Sequence, residues 1–291
     1  MIKTFLAPAK INLCLHVLGK RSDGYHDLAM LMQRISLYDR ITLQLSSKPG
    51  VRVRCAGVSL DAGQENIASR AARRLLDSAG LNTGVDIDID KQIPVAAGLG
   101  GGSSDAATVL MGLNEMLGLK LSTRELQEQG VKLGADVPFF IFGHPAWATG
   151  IGDVLQRVDG LPPVWYVLVN PGIAVSTAWA YGNLRLTSRR DDLKIPRFSS
   201  AVDSLLAVLY NDLEEVTVTH HPQIEEVKKR LVAAGADGAL MSGSGSTVFG
   251  IFAEKNQAEL AAKQLQREPG WRVFAAGPVD GEGPIAVEDS D

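Results

Sequence analysis

The 291-residue sequence predicts an α/β (α+β) protein in two domains, and three observations carry that expectation. Val85-Asp-Ile-Asp-Ile-Asp90 alternates apolar and charged residues with a period of two, the pattern of a half-buried strand, and it runs through a glycine tract into a helix-forming stretch. From Pro222 onward the order reads helix, strand, strand, helix, strand, which suits a split βαβ, ferredoxin-like unit. Between these regions, Gly160 and the paired prolines Pro162 and Pro163 mark a boundary. The expected domains are 1–160 and 161–291.

Taken in order, Ile11 to Leu18, Ile41 to Leu45 and Val51 to Cys55 read as strands. Asn66 to Ala79 has helical apolar spacing and stops at Gly80, which suits a left-handed C-cap. After strand Val85 to Asp90 and the glycines, a helix is expected from about Ser104 to Leu117. Ser122-Thr-Arg-Glu125 is a capping-box pattern that opens a helix ending near Gly134. Val137 to Phe142 and Val164 to Val169 are apolar runs of strand length. Trp165 to Asn170 is a strand, and Ser176 or Thr177 can cap the helix that follows. Pro222 to Ala234 is helical, Gly238 to Ser242 and Thr247 to Phe252 are strands, Ala258 to Gln266 is helical and Trp271 to Ala275 is a strand. Arg189 to Lys194 reads as a polar loop, and the Gly/Pro-rich acidic tail after Gly277 as frayed.

Composition is globular, at 45% hydrophobic and 21% charged residues. A net charge of −4 with no basic run gives no support for nucleic-acid binding. Lys10 and Asn12 interrupt any apolar core begun by Phe5 and Leu6, so the N-terminus does not read as a signal peptide. No uncharged apolar stretch reaches the length of a membrane span, so a cytoplasmic protein without a membrane partner is expected. Cys14 and Cys55 show no metal-type spacing and read as two buried thiols.

Four of the five positions from Gly98 to Gly102 are glycine, and the tract Pro94-Val-Ala-Ala-Gly-Leu-Gly-Gly-Gly-Ser-Ser-Asp-Ala-Ala-Thr108 passes straight into a helix. Backbone without side chains can approach an anion closely, and a helix start offers unpartnered N–H groups with a favourable dipole. That combination suits a polyphosphate; a tight turn or close helix packing is the plainer alternative. The tract lacks the Gly-Lys-Ser/Thr triplet of a Walker A loop, and Ser103 stands where a dinucleotide fingerprint has its third glycine. Protein-kinase signatures are absent.

Pro8-Ala-Lys-Ile-Asn12, Arg21-Ser-Asp-Gly-Tyr-His26, the glycine tract, Leu133-Gly-Ala-Asp-Val-Pro138 and Met241-Ser-Gly-Ser-Gly-Ser-Thr-Val248 together resemble the motifs of the GHMP small-molecule kinase superfamily. The resemblance runs from about Lys3 to Phe274. It implies an N-terminal domain like domain 2 of ribosomal protein S5, a ferredoxin-like C-terminal domain and a cleft between them. It implies ATP as co-substrate. The finer pattern is similar to the branch that phosphorylates the 2-hydroxyl of a cytidine diphosphate-linked methylerythritol in the non-mevalonate isoprenoid pathway. In that branch Asp136 corresponds to the general base, and Lys10 to the cation that stabilises developing charge. By position alone, Lys10 is an ordinary solvated lysine at a strand start, and Asp136, at the edge of an apolar run, is either a helix cap or a general base.

Asn12 lies two residues from Lys10, so on a strand both share one face; the resemblance makes Asn12 a substrate contact. Tyr25 and His26 follow the turn signal Asp23-Gly24 and by spacing alone are surface residues. The resemblance instead sets the cytosine between Tyr25 and Tyr181, with His26 hydrogen-bonding the base; the alternative for Tyr181 is a core tyrosine on a helix. Thr177 either contacts the methylerythritol end or caps a helix. On the ATP side the resemblance assigns Pro94, Gly98, Leu99, Gly100, Gly101 and Gly102 to the loop, with hydroxyls from Ser103 and Ser104. Asn66 and Lys91 match adenine-facing positions, against the alternatives of an N-cap and a strand-end surface lysine. Asp105 would repel a triphosphate unless it reaches a metal or caps the helix. Ala96 and Ala97 stand where related loops carry more glycine, which weakens contact between their N–H groups and phosphate.

Gly243, Ser244 and Gly245 form a hairpin turn by pattern and a neighbour of substrate and loop by resemblance. Magnesium is expected with ATP, although no carboxylate cluster identifies its ligands. His220-His221 reads as a surface pair. A homoserine or mevalonate-type kinase is the rival enzyme reading, and Ser22-Asp-Gly-Tyr-His26 argues against it because those substrates carry no base to stack. A nucleotide-binding regulator without turnover is the rival from another class; retention of Lys10 and Asp136 argues against that.

Overall fold

The computed structural model describes residues 1–57, 65–185 and 193–287. The first half of the chain forms β1 (Ile2–Lys20), β2 (His26–Ser46), β3 (Gly50–Cys55), α1 (Ile67–Ser78), β4 (Gly84–Asp90), α2 (Gly101–Met116), α3 (Thr123–Gly130), α4 (Val137–Phe142), β5 (Ala146–Gly150) and β6 (Val154–Arg157). The second half forms β7 (Trp165–Asn170), α5 (Thr177–Asn183), α6 (Val202–Leu206), β8 (Tyr210–Asn211), α7 (Asp212–His220), α8 (Gln223–Ala233), β9 (Gly238–Met241), β10 (Val248–Phe252), α9 (Lys255–Leu265), β11 (Arg272–Ala276), β12 (Pro278–Val279) and β13 (Ile285–Ala286).

One long antiparallel hairpin organises the first sheet: β1 pairs with β2 from Ile2 opposite Gln44 to Lys20 opposite His26. The sheet runs β13-β1-β2-β4-β3, with β5 and β12 also on β2, β6 on β5 and β8 on β1. Most of β2 lies outside the strand expected over Ile41 to Leu45. Leu28 to Ile35 is buried without a break, and a strand covered on both faces shows no alternation to read. The second sheet runs β11-β7-β10-β9, antiparallel throughout, with helices between β7 and β9 and between β10 and β11. That is the ferredoxin-like order.

The two sheets share an apolar layer. Ala9, Ile11 and Leu13 of β1 and Leu31 of β2 are buried with Tyr166 and Leu168 of β7 and with Phe249 and Ile251 of β10. Each large side chain so buried contributes about 1.5–3 kcal/mol. Because residues 9, 11 and 13 enter this layer, Lys10 and Asn12 are directed to the other side of the strand. Helices α1 and α2 cover that other side farther along, through Leu75, Val109, Leu110 and Leu113 against Phe5, Leu43 and Ile87.

One open reading is decided and two local expectations are corrected. Val137 to Phe142 has the length of a strand but forms helix α4, with Pro138 in its first turn and a left-handed Gly143 ending it. Helix α2 begins at Gly101 rather than Ser104. The tail after Gly277 is not frayed through Val287, because β12 pairs with β2 and β13 with β1. Of the expected polar loop at Arg189 to Lys194, residues 189–192 lie outside the described residues. Cys14 and Cys55 are both free thiols.

Candidate active site

Lys10 is 5% exposed, so the solvated-lysine alternative does not hold. Its backbone N–H donates to the Leu99 carbonyl at 3.0 Å, which stitches the glycine loop to β1. Its Nζ donates to Asn12 Oδ1 at 2.5 Å and lies 3.6 Å from Asp136 Oδ2. Asp136 occupies the N-cap position of α4, yet its side chain makes no capping bond. With the carboxylate 30% exposed and paired with Lys10, the capping alternative falls away as well.

The glycine loop needs glycine where it touches its neighbours. Gly100, at φ +69°, is the N-cap of α2, and a Cβ there would lie 2.9 Å from the Phe140 ring and 3.1 Å from Lys10 Cγ. At Gly98 a Cβ would fall 2.0 Å from the Ser242 carbonyl oxygen. No side chain caps α2, and Gly101, Gly102 and Ser103 in its first turn line the cleft, so the helix start presents N–H groups to it. Pro94 and Gly98 line it too. Leu99 and Ser104 do not: both are buried, and the Ser104 hydroxyl is enclosed without a partner. The hydroxyl expected from Ser104 is therefore not offered to the cleft, because α2 starts earlier and its rotation turns that residue inward.

Lys91 is not a surface lysine. Its ammonium is held by Asp39 and, at 2.8 Å, by Asp105. Asp39 is fully buried and accepts from the Gln92 and Ile93 N–H groups at 2.6 and 2.8 Å. Burial opposes the Lys91 charge, but Asp105 and Asp39 outweigh it and raise its pKa above the ordinary lysine value. Asp105 neither caps the helix nor stands bare beside the loop, since Lys91 offsets it; burial nonetheless pushes its carboxyl up to about 8. Asn66 does cap α1, accepting from Ala68 N–H at 2.8 Å, and it also lines the cleft.

At the opposite end, His26 stacks on Tyr181 with ring centroids 5.0 Å apart, while Tyr25 is 58% exposed at the turn between β1 and β2. Burial and, second, Lys20 lower the His26 pKa, which favours the neutral ring. Ser176, not Thr177, caps α5; the Thr177 hydroxyl instead meets Ser244 Oγ at 3.1 Å. The Gly243-Ser244-Gly245 turn joins β9 to β10 and reaches across to the first sheet. Just before it, Ser242 Oγ donates to the Gly98 carbonyl at 2.9 Å and accepts from Asn12 N–H at 3.2 Å.

Three residues here were not foreseen: Asp39, Ser242 and Lys20. Asp39 left a signal, since it sits in phase with Ile35, Leu37, Ile41 and Leu43 on the buried face of β2. A carboxylate on an apolar face demands a partner. Ser242 lay inside the Met241–Val248 motif, but its role was not legible there, because its bonds join segments far apart in sequence.

The cleft between these groups has a volume of about 1150 Å³. It sets a fixed cation beside a carboxylate, with a helix start on one side and aromatic rings on the other. No group of three His, Cys, Asp or Glu side chains among the described residues could hold a metal ion.

Residues 66–144 match the family model of the GHMP kinases N terminal domain, and residues 196–270 match that of the GHMP kinases C terminal domain. A 4-diphosphocytidyl-2-C-methyl-D-erythritol kinase of Syntrophotalea carbinolica is 66% identical over 96% of this chain and 100% of its own length. A crystal structure of 4-(cytidine 5'-diphospho)-2C-methyl-D-erythritol kinase superposes with a TM-score of 0.81 at 39% identity, covering 96% of this chain and 100% of the other. Homoserine kinase from Cytophaga hutchinsonii shares the fold at TM-score 0.76 and 18% identity, over 98% and 97% of the two chains. The chain belongs to the GHMP kinases, and within them to the 4-diphosphocytidyl-2-C-methyl-D-erythritol kinase family.

Proposed function

We propose that the protein transfers the γ-phosphoryl group of ATP to the 2-hydroxyl of 4-diphosphocytidyl-2-C-methyl-D-erythritol. The observation that carries this reading is the 3.6 Å Lys10–Asp136 pair, open to a cleft with the start of α2 on one side and the His26–Tyr181 stack on the other. Asp136 takes the proton of the acceptor hydroxyl as its oxygen bonds to the γ-phosphorus and the bond to ADP breaks. Lys10 stabilises the negative charge that spreads over the transferred group. Gly98 and Gly100 to Ser103 cradle the ATP phosphates, with Pro94, Asn66 and Lys91 toward the nucleoside. Tyr25 and Tyr181 stack the cytosine, His26 hydrogen-bonds it, and Asn12 and Thr177 contact the acceptor end.

Magnesium accompanies ATP in this reading, held chiefly by phosphate and water oxygens, since no carboxylate cluster is found among the described residues. Both partners are small molecules of the cytoplasm, and no helix among the described residues is long and apolar enough to cross a membrane. The test is ADP release with ATP and magnesium, comparing the cytidylated compound, the same compound without its cytidylyl group, and homoserine. Turnover that depends on the cytidylated compound, phosphorylated at the 2-hydroxyl, supports the reading. Turnover only with another alcohol discards the cytosine site.

A further inference from the structure

The lysines and carboxylates that line the cleft have partners, with one exception among the described residues. Among the described residues its lining carboxylates are Glu65, Asp105 and Asp136, and its lining lysines are Lys10, Lys20 and Lys91. Asp105 pairs with Lys91 at 2.8 Å, Asp136 with Lys10 at 3.6 Å and Glu65 with Arg73 at 2.9 Å. Arg21, the next residue along from Lys20, is taken by Asp23 and Asp27. The Lys20 ammonium has no ion-pair or hydrogen-bond partner among the described residues.

The position of that spare charge follows from the hairpin. Lys20 is the last residue of β1 and lies directly opposite His26, the first of β2. Opposed residues of an antiparallel pair point to the same face with Cβ atoms about 4.5–5.5 Å apart, and both residues line the cleft. Burial first, and the Lys20 charge second, lower the His26 pKa. This end of the cleft therefore offers a stacked ring beside an exposed lysine that no carboxylate among the described residues pairs. A nucleotide has the complementary chemistry, with a flat base for the rings and phosphate oxygens for the ammonium. The helix start that serves the other anion belongs to the opposite end.

We propose that Lys20 binds the diphosphate of the acceptor substrate and so makes the protein select a nucleotide-linked alcohol over the free alcohol. A lysine suits this task, since a point charge on a flexible stem can follow either phosphate as the acceptor settles. The proposal rests on the cytidylated acceptor proposed above and names how its phosphates are recognised.

The test is calorimetric titration of CDP and of cytidine into the full chain, for wild type, Lys20→Ala, Lys20→Arg and Lys48→Ala. Wild type is expected to bind CDP roughly tenfold more tightly than cytidine at low salt, the range for a charge-assisted contact discounted for exposure. Lys20→Ala brings the ratio close to one with cytidine affinity unchanged, Lys20→Arg keeps most of it, and added salt erodes it in wild type. Lys48→Ala, which removes a lysine outside the cleft, leaves the ratio alone. In steady state Lys20→Ala raises KM for the acceptor and not for ATP. A CDP-to-cytidine ratio that survives Lys20→Ala overturns the proposal, as does equal loss of both ligands. If wild type turns over the cytidylated alcohol while that ratio is insensitive to Lys20, the diphosphate contact fails and the functional reading stands. If wild type binds neither CDP nor cytidine and turns over only another alcohol, the cytidylated acceptor falls and takes this contact with it.

Discussion

A lysine that is 5% exposed needs polar partners in place of the water it has lost, and Asn12 and Asp136 supply them for Lys10. The pair is arranged asymmetrically: Lys10 is enclosed, whereas Asp136 keeps an open side on which a hydroxyl can dock. Asp136→Asn removes the carboxylate proposed as the proton acceptor and keeps the shape. It is expected to lower kcat by about 10²-fold or more, within the span of general-base catalysis, with ATP affinity by calorimetry unchanged. Normal turnover would exclude Asp136 as the base. Asp105 offers a second test. Its folded-state pKa, near 8, lies above its ordinary 3.8, so the folded chain holds a proton that the unfolded chain has released. Stability from this group is present below about pH 4 and is lost as pH rises toward 8. Asp105→Asn removes that slope, so between pH 5 and 8 the variant's Tm should fall less with rising pH than the wild type's. Parallel Tm curves would show that burial does not hold the carboxyl protonated.

At the level of elements, function depends on how ends are finished. Helix α2 begins with glycine and no side-chain cap, which leaves its N–H groups available, whereas α3 closes with a full capping box of Ser122 and Glu125. The first arrangement gives up stability at a site and the second secures a support, because α3 packs against α4, the helix that Asp136 begins. Ser122→Ala is expected to cost about 1 kcal/mol of folding stability, read as a lower denaturant midpoint, with kcat unaffected. A fall in kcat without a shift in midpoint would mean that α3 acts on the site itself. The capping box was legible because its residues are three apart. The helical nature of Val137 to Phe142 was not, since six apolar residues fit a buried strand equally well, and only packing against α2 and α3 separates the two.

For the molecule as a whole, the chain's return to the first sheet matters most. Arg34 is buried, its guanidinium donates to the carbonyls of Gly143 and Gly281, and burial lowers its pKa to about 10. Gln33 Nε2 donates to Val279 at 3.0 Å. The segment after Gly277 thus satisfies donors in the middle of β2 while adding strands β12 and β13. Truncation after Gly277 removes one of the two acceptors of each donor, leaving the Gly143 carbonyl to Arg34 and the Arg34 carbonyl to Gln33, and strips the pairings of β12 and β13, so a clear drop in Tm is expected. An unchanged Tm would show that the tail contributes no stability.

The sequence by itself determined the two-domain α/β class, the helix and strand pattern from Pro222 onward, and the short motifs from Pro8 to Asn12, Gly98 to Ser104 and Leu133 to Pro138. All of these are written in neighbouring residues or in a short period. Tertiary structure decided which of those residues face one another. Packing of residues 9, 11 and 13 against the second sheet turned Lys10 and Asn12 toward Asp136, more than a hundred residues away. Burial of Asp39 and Asp105 made Lys91 a fixed internal cation, and rotation of α2 hid Ser104. Pairing of β1 with β2 set Lys20 beside His26, and β12 and β13 docked a tail whose composition reads as loose. A local pattern records what a residue prefers among its neighbours. Charge partners, helix rotation and strand register depend on surfaces brought together from distant parts of the chain, so they emerge only when the chain closes on itself.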